Sequence, residues 1–313
     1  MSAPRDALLR RLRCPVSGER LSYQGGRLVS ESGKHGYELQ AGRIPLFCQE
    51  PESVGAQRQQ RHYDRVASAY LENLAYPHTR EYTAYLDRVL FETLGPGSLG
   101  TVAELCCGQG EALTLLGDRI QEGVGVDISA AMLEAAAARL AEDRFALIQA
   151  DATRLPLGDA QFDHVLMLGG IHHVNDRRGL FREVARILRP GGRFVWREPV
   201  SDFVLWRALR AVVYRLSPAL DHATERPLLR RETEPPLREA GLEPGGWRTC
   251  GFLGFCLLMN SDVLVWNRAL RFLPGVGALA RGAAAFDEAC LRLPGLGDAG
   301  LQVVGWARKG QAL

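Results

Sequence analysis

The chain has 313 residues, 46% hydrophobic and 24% charged, with a formal net charge of +2. That length supports one large or two unequal domains, and the near-neutral balance argues against a nucleic-acid surface or a charged, disordered tail. Of its 38 Lys and Arg residues only Lys34 and Lys309 are lysine, a bias that fits GC-rich coding better than a nucleic-acid face.

The N-terminal run MSAPRDALLRRLRCP is basic but has no apolar segment of signal-peptide length. Later apolar stretches are broken by arginines before bilayer-spanning length, so a cytoplasmic protein without a transmembrane segment is expected. Seven cysteines without a CxxC pair predict reduced thiols. Residues 1–50 alternate apolar and polar positions between Gly-rich turns and predict a separate small β module. Cys14, His35 and Cys48 do not supply four tetrahedral ligands at zinc spacing, so no metal is expected.

Residues 51–98 predict a helical linker or N-terminal lid. Tyr63, Val66, Ala67 and Tyr70 recur at helical spacing, as do Tyr82, Tyr85, Leu86 and Val89 in a second helix. Tyr63 is a candidate cofactor contact and Tyr70 a candidate substrate contact.

From residue 99 onward the chain predicts an α/β domain. The run TVAELCCGQGEALTLL reads as a strand from Thr101 to Leu105, a turn at Gly108 and Gly110, and a helix whose first amides face the turn. Asp127 closes a second strand, where its carboxylate can accept both hydroxyls of a ribose. Leu113 stands where a dinucleotide fingerprint would have its third glycine. Glu104, at the end of the first strand, would repel a pyrophosphate and suits a cationic ligand such as S-adenosylmethionine, which carries a sulfonium and an ammonium.

On these residues, ELCCGQG resembles the DLGCGxG motif of class I S-adenosylmethionine-dependent methyltransferases, with Cys106 in place of the usual first glycine. The likeness runs on through QADATRLPLGDAQFDHVLMLGGIHHVNDRRGLFREVARILRPGGRFVWREP. The resemblance implies a Rossmann-like fold with a seven-stranded mixed sheet of order 3-2-1-4-5-7-6 and its last strand antiparallel. It also implies a cofactor site at Glu104, Cys106, Gly108, Gly110, Asp127, Ile128, Met132, Asp151, Ala152, Leu168 and Gly169. HYDRVASAYLE is similar to the YDxxAxxY segment that folds over the cofactor in many small-molecule methyltransferases. The N-terminal module resembles a YcaR-like zinc ribbon without intact ligands: Ser17 stands where a second thiol would be.

Acceptor chemistry is expected beyond the fourth strand, FDHVLMLG, because ligands sit outside the carboxyl ends of parallel strands. His172 and His173 are candidates there for general base and substrate contact. Trp196 and Arg197, in the fifth strand from Arg193 to Glu198, are further substrate-contact candidates. Ser129 reads equally as a ligand or as a helix N-cap.

Two apolar insertions, near 202–230 and 257–298, predict helices covering the site mouth, including Val263, Trp266, Leu270 and Phe272; they would serve equally as extra core or as a homodimer face. Between them, Thr233 is expected to start a helix with Pro235 and Pro236 in its first turn, and GWRTCGFLGF to form a strand.

The expected function is methyl transfer from S-adenosylmethionine to an oxygen of a small, partly apolar or acyl-bearing metabolite, leaving S-adenosylhomocysteine. An RNA acceptor is the rival reading, opposed by the near-neutral charge and the lack of an NPPY-type segment after the fourth strand. A non-catalytic or repurposed binding protein is the rival of another class.

Overall fold

The computed structural model describes residues 10–49, 51, 53–61, 76–140, 143–208, 226–259 and 265–311. Tyr63, Tyr70 and Val263 lie outside the described residues, as does most of the insertion near 202–230.

The central sheet follows from four short runs buried along most of their length. β6 (Gly100–Leu105), β7 (Ile120–Asp127), β8 (Phe145–Gln149) and β9 (Phe162–Leu168) pair in parallel, β6 lying between β7 and β9. β10 (Leu188–Pro199) extends the sheet in parallel beside β9. β12 (Gln302–Lys309) lies antiparallel between β10 and β11 (Leu242–Cys250). The order β11-β12-β10-β9-β6-β7-β8 is the expected 3-2-1-4-5-7-6 read from the opposite edge, so the fold is the Rossmann-like class I methyltransferase fold.

Both faces are buried, as parallel strands require. On one face Ala103, Leu105, Val165, Met167, Phe194 and Trp196 pack under a helix at Arg177–Ile187, which presents Leu180, Phe181 and Val184. On the other, Val102, Leu166, Val195 and Val304 meet α1 (Pro77–Leu94) through Tyr82, Leu86 and Val89. The helical spacing of those residues was legible; their partners were not.

The N-terminal segment forms β1 (Leu21–Gln24), β2 (Arg27–Ser30) and β3 (Gly36–Tyr37) in one antiparallel sheet, and β4 (Leu39–Gln40) and β5 (Ile44–Pro45) in another. It does not pack apart from the rest. Strands of two to four residues cannot enclose a core, and Leu12, Cys14, Leu21 and Leu28 are buried in the same cluster as Leu155 and Leu157. Leu46 bridges Gln149 in parallel, and the Phe47 amide donates to the Gln149 carbonyl at 2.9 Å, covering the edge of β8. Among the described residues no group of three or more His, Cys, Asp or Glu side chains could hold a metal ion.

Two expectations for the C-terminal third are corrected. The helix at Arg230–Glu239 starts three residues before Thr233, so Pro235 and Pro236 lie inside it. The carbonyls of Arg231 and Glu232, deprived of their intrahelical donors by the two prolines, belong to exposed residues. The strand expected through Phe255 stops at Cys250, and Leu253–Leu258 is helical. The cause is buried Asp287, whose carboxylate accepts from the amides of Phe252, Gly254 and Phe255, each at 2.8 Å. Of the alternatives weighed for the insertion near 257–298, the helix at Val276–Leu291 serves as core, turning Ala280 and Ala284 onto α1. No described helix is long and apolar enough to cross a membrane.

Candidate active site

The carboxyl ends of β6, β7, β8 and β9 open into one cavity of about 490 Å³. Cys106, Gly108, Asp127, Ile128, Met132, Asp151, Ala152, Leu168, Gly169 and His173 line it, ten of the residues singled out by sequence. Glu104, Gly110, His172, Trp196 and Arg197 do not.

The loop after β6 is shaped by its backbone. Gly108 has φ +50°, which strains any side chain, and a Cβ there would lie 3.1 Å from the Met132 methyl carbon, crowding the turn beside the cavity. Cys106 adopts the same left-handed conformation, φ +50°, with a side chain. Burial raises the Cys106 and Cys107 thiols well above their usual range, which removes thiolate chemistry from this loop. Left-handed backbone costs a non-glycine residue about 1–2 kcal/mol, and glycine's extra unfolded-state freedom returns roughly 0.5–1 kcal/mol of that. Cys106→Gly should therefore be stabilising by about 0.5 kcal/mol in thermal unfolding; a loss of stability would mean that thiol packing outweighs the backbone strain.

Asp127 organises two loops. Its Oδ2 accepts from the Gly108 amide at 2.7 Å and its Oδ1 from the Ser129 amide at 2.9 Å. Each carboxylate oxygen has a second lone pair, so a ribose hydroxyl can still be accepted. Ser129 is buried and caps the next helix, Ala130–Arg139, through the Met132 amide at 3.2 Å; it does not line the cavity. Asp151 does both things considered for it: it lines the cavity, and its Oδ1 closes the following turn on Thr153, at 2.8 Å to the amide and 2.7 Å to the hydroxyl.

Glu104 is a correction to the sequence reading. It is 1% exposed, and its two oxygens accept from the amides of Ala112 at 2.7 Å and Leu113 at 3.0 Å, the start of the helix Glu111–Leu115. Burial pushes its carboxyl up to about 8 against those bonds. It anchors the helix beneath the loop and does not line the cavity.

Trp196 and Arg197 are likewise turned away from the cavity. Trp196 is 1% exposed, stacked with Phe194 and Trp247 in the core. Arg197 on the opposite face is clasped by Asp87 at 2.7 Å and by Glu111, joining β10 to α1 and to the helix start. Burial opposes the charge, yet the two carboxylates hold the guanidinium even more firmly protonated than usual. Lysine replaces this planar, forked donor with a single ammonium that is not pre-organised for two partners. Arg197→Lys should cost about 1–2 kcal/mol of stability in chemical denaturation; an unchanged midpoint would show that the fork geometry is dispensable.

Sequence reasoning missed Glu198. At the end of β10 and fully buried, it accepts from the amides of Gly170 and Ile171, both at 2.7 Å, and from His172 Nδ1 at 2.7 Å. A carboxylate can only accept, so His172 carries its proton on Nδ1. The His173 ring lies 3.8 Å from the His172 ring, centroid to centroid, and lines the cavity. The available signal was an acid ending the strand beside the one that carries the HH loop. Gln109, Glu111, Asn175 and Asp176, also lining the cavity, had no distinguishing pattern.

Comparison with known proteins agrees with this geometry. Residues 103–196 match the methyltransferase domain family. The chain is 35% identical over 149 residues to the 27-O-demethylrifamycin SV methyltransferase of Amycolatopsis mediterranei, covering 45% of this chain and 53% of that protein. It is 39% identical over 123 residues to the demethylmenaquinone methyltransferase of Mycolicibacterium paratuberculosis, covering 39% of this chain and 49% of that protein. The chain thus spans about half the length of these curated relatives. In fold it is similar to the geranyl diphosphate C-methyltransferase of Streptomyces coelicolor, solved with S-adenosyl-L-homocysteine bound: 16% identity, 83% of this chain and 99% of that one, TM-score 0.54.

Proposed function

We propose that this chain, whose residues 103–196 match a methyltransferase domain, transfers a methyl group from S-adenosylmethionine to a small, partly apolar metabolite. The observation that carries the reading is the cavity itself. The open backbone at Gly108, the Asp127 carboxylate and the Asp151 carboxylate converge on it from three consecutive strand ends. These residues fit the cofactor: Asp127 would hold the ribose hydroxyls, Asp151 and Ala152 the adenine, and Cys106, Leu168 and Gly169 the methionine part.

When bound, S-adenosylmethionine supplies an activated methyl group for in-line displacement. The protein's remaining work is to place the acceptor and take its proton. We assign the proton to His173, the histidine that lines the cavity, and assign to the Glu198–His172 pair the holding of the loop that carries it. An oxygen acceptor is favoured because a hydroxyl needs such a base; the curated relatives named above act on small molecules, one named for an O-demethylated substrate.

The first test is calorimetric titration of the full chain with S-adenosylmethionine and S-adenosylhomocysteine, after mass analysis of whatever the purified protein carries. Micromolar binding is expected, followed by methylation in a screen of apolar hydroxyl and carboxyl acceptors. Absence of binding would remove the assignment in favour of a repurposed fold, and a strongly salt-dependent affinity for RNA would favour the RNA acceptor instead.

A further inference from the structure

The cavity has a wall that does not come from the methyltransferase-like domain. Pro15, Val16, Phe47, Cys48 and Gln49, all from the N-terminal module, line it together with the ends of β7 and β8. Two fastenings hold that wall in place, and both reach out from the strand and loop that frame the cavity.

The first is Gln149, the last residue of β8, only 1% exposed. Its side-chain oxygen accepts from the Cys48 amide at 2.9 Å, while its side-chain nitrogen donates to the Cys48 carbonyl and, at 2.9 Å, to the Ile128 carbonyl. Gln60 repeats the link from outside, donating to the same Ile128 carbonyl at 3.2 Å. The second fastening is Arg154, whose Nε donates to the Pro15 carbonyl at 2.9 Å. If the module only covered the sheet edge, a leucine at 149 would bury apolar area without the cost of desolvating an amide. An amide bonded at both ends instead fixes one register, setting the residue-48 backbone against Ile128, beside the Asp127 carboxylate.

We propose that the N-terminal β module is a wall of the cofactor site, with Gln149 as the positioning residue that seats Cys48 over the β7–β8 end, where the adenosine part of the ligand would lie. The inference rests on the cofactor reading above. It gives the module a role in ligand enclosure at this cavity.

Cysteine alkylation reads this directly, without altering the protein. The full chain is treated with iodoacetamide with and without saturating S-adenosylhomocysteine, and each thiol's rate is followed by peptide mass analysis. Cys48 lines the cavity and Cys290 does not, both being partly exposed thiols outside any disulfide. The ligand is expected to slow Cys48 about tenfold or more and to leave Cys290 unchanged, while calorimetric titration of the same sample reads cofactor binding separately. A heat of binding with an unchanged Cys48 rate would overturn the wall and leave the cofactor reading standing; no protection of Cys48, with no heat of binding, would overturn both. In Gln149→Leu the affinity for S-adenosylhomocysteine is expected to fall roughly tenfold, with Cys48 reactive again in its presence. Full Cys48 protection in that variant would remove Gln149 from the positioning role.

Discussion

Asp127→Asn is expected to bind S-adenosylhomocysteine about 100-fold more weakly than the unaltered chain. The side chain keeps its shape but replaces one acceptor oxygen by an NH₂ group. That group would face a backbone N–H, either Gly108 on the loop after β6 or Ser129 at the start of the next helix. One loop is then pushed away, and the ribose loses its charged acceptor. Charge-assisted hydrogen bonds are worth about 1.5–3 kcal/mol each, so a combined loss of about 3 kcal/mol corresponds to roughly two decades in Kd. Calorimetric titration measures it. An affinity within about threefold of the original would remove Asp127 from the ribose site.

His173→Ala is expected to lower turnover of a hydroxyl acceptor about 100-fold or more while leaving the affinity for S-adenosylhomocysteine nearly unchanged, since general-base catalysis contributes about 10²–10⁴-fold. The two histidines have different surroundings. His172 is tied through Nδ1 to buried Glu198, which also holds the amides of Gly170 and Ile171, so it belongs to the framework of the loop. His173 faces the cavity beside Leu168 and Gly169. Separate measurement of kcat and ligand affinity distinguishes a lost base from a disordered loop, because loop disorder would weaken binding as well. Unimpaired turnover in His173→Ala would show that the acceptor is already nucleophilic or that His172 is the base.

Much of the site was legible because the residues that form it lie at the ends of strands whose spacing is local. Gly108 and Asp127 stand nineteen positions apart, and one strand–helix–strand unit necessarily brings such positions to the same edge of a parallel sheet. Glu104 shows where that logic ends: its place at a strand end was legible, its direction was not. Whether its carboxylate faced a ligand or the amides of Ala112 and Leu113 depended on how closely the following helix packs beneath the loop. Trp196 and Arg197 are adjacent strand residues and so point to opposite faces, and only the partners on those faces, Trp247 on one side and Asp87 with Glu111 on the other, decide what each does.

By itself the sequence determined the parallel half of the sheet, its glycine turn and the acids at its strand ends, because short apolar runs and left-handed turns are constraints that act within a few residues. Tertiary structure alone decided that Glu198 secures the histidine loop, that Asp287 ends β11 by capping a helix, and that Gln149 brings the N-terminal module to the cavity. In each case a buried polar side chain must find partners far away along the chain, and only the assembled fold specifies which backbone amides come within its reach.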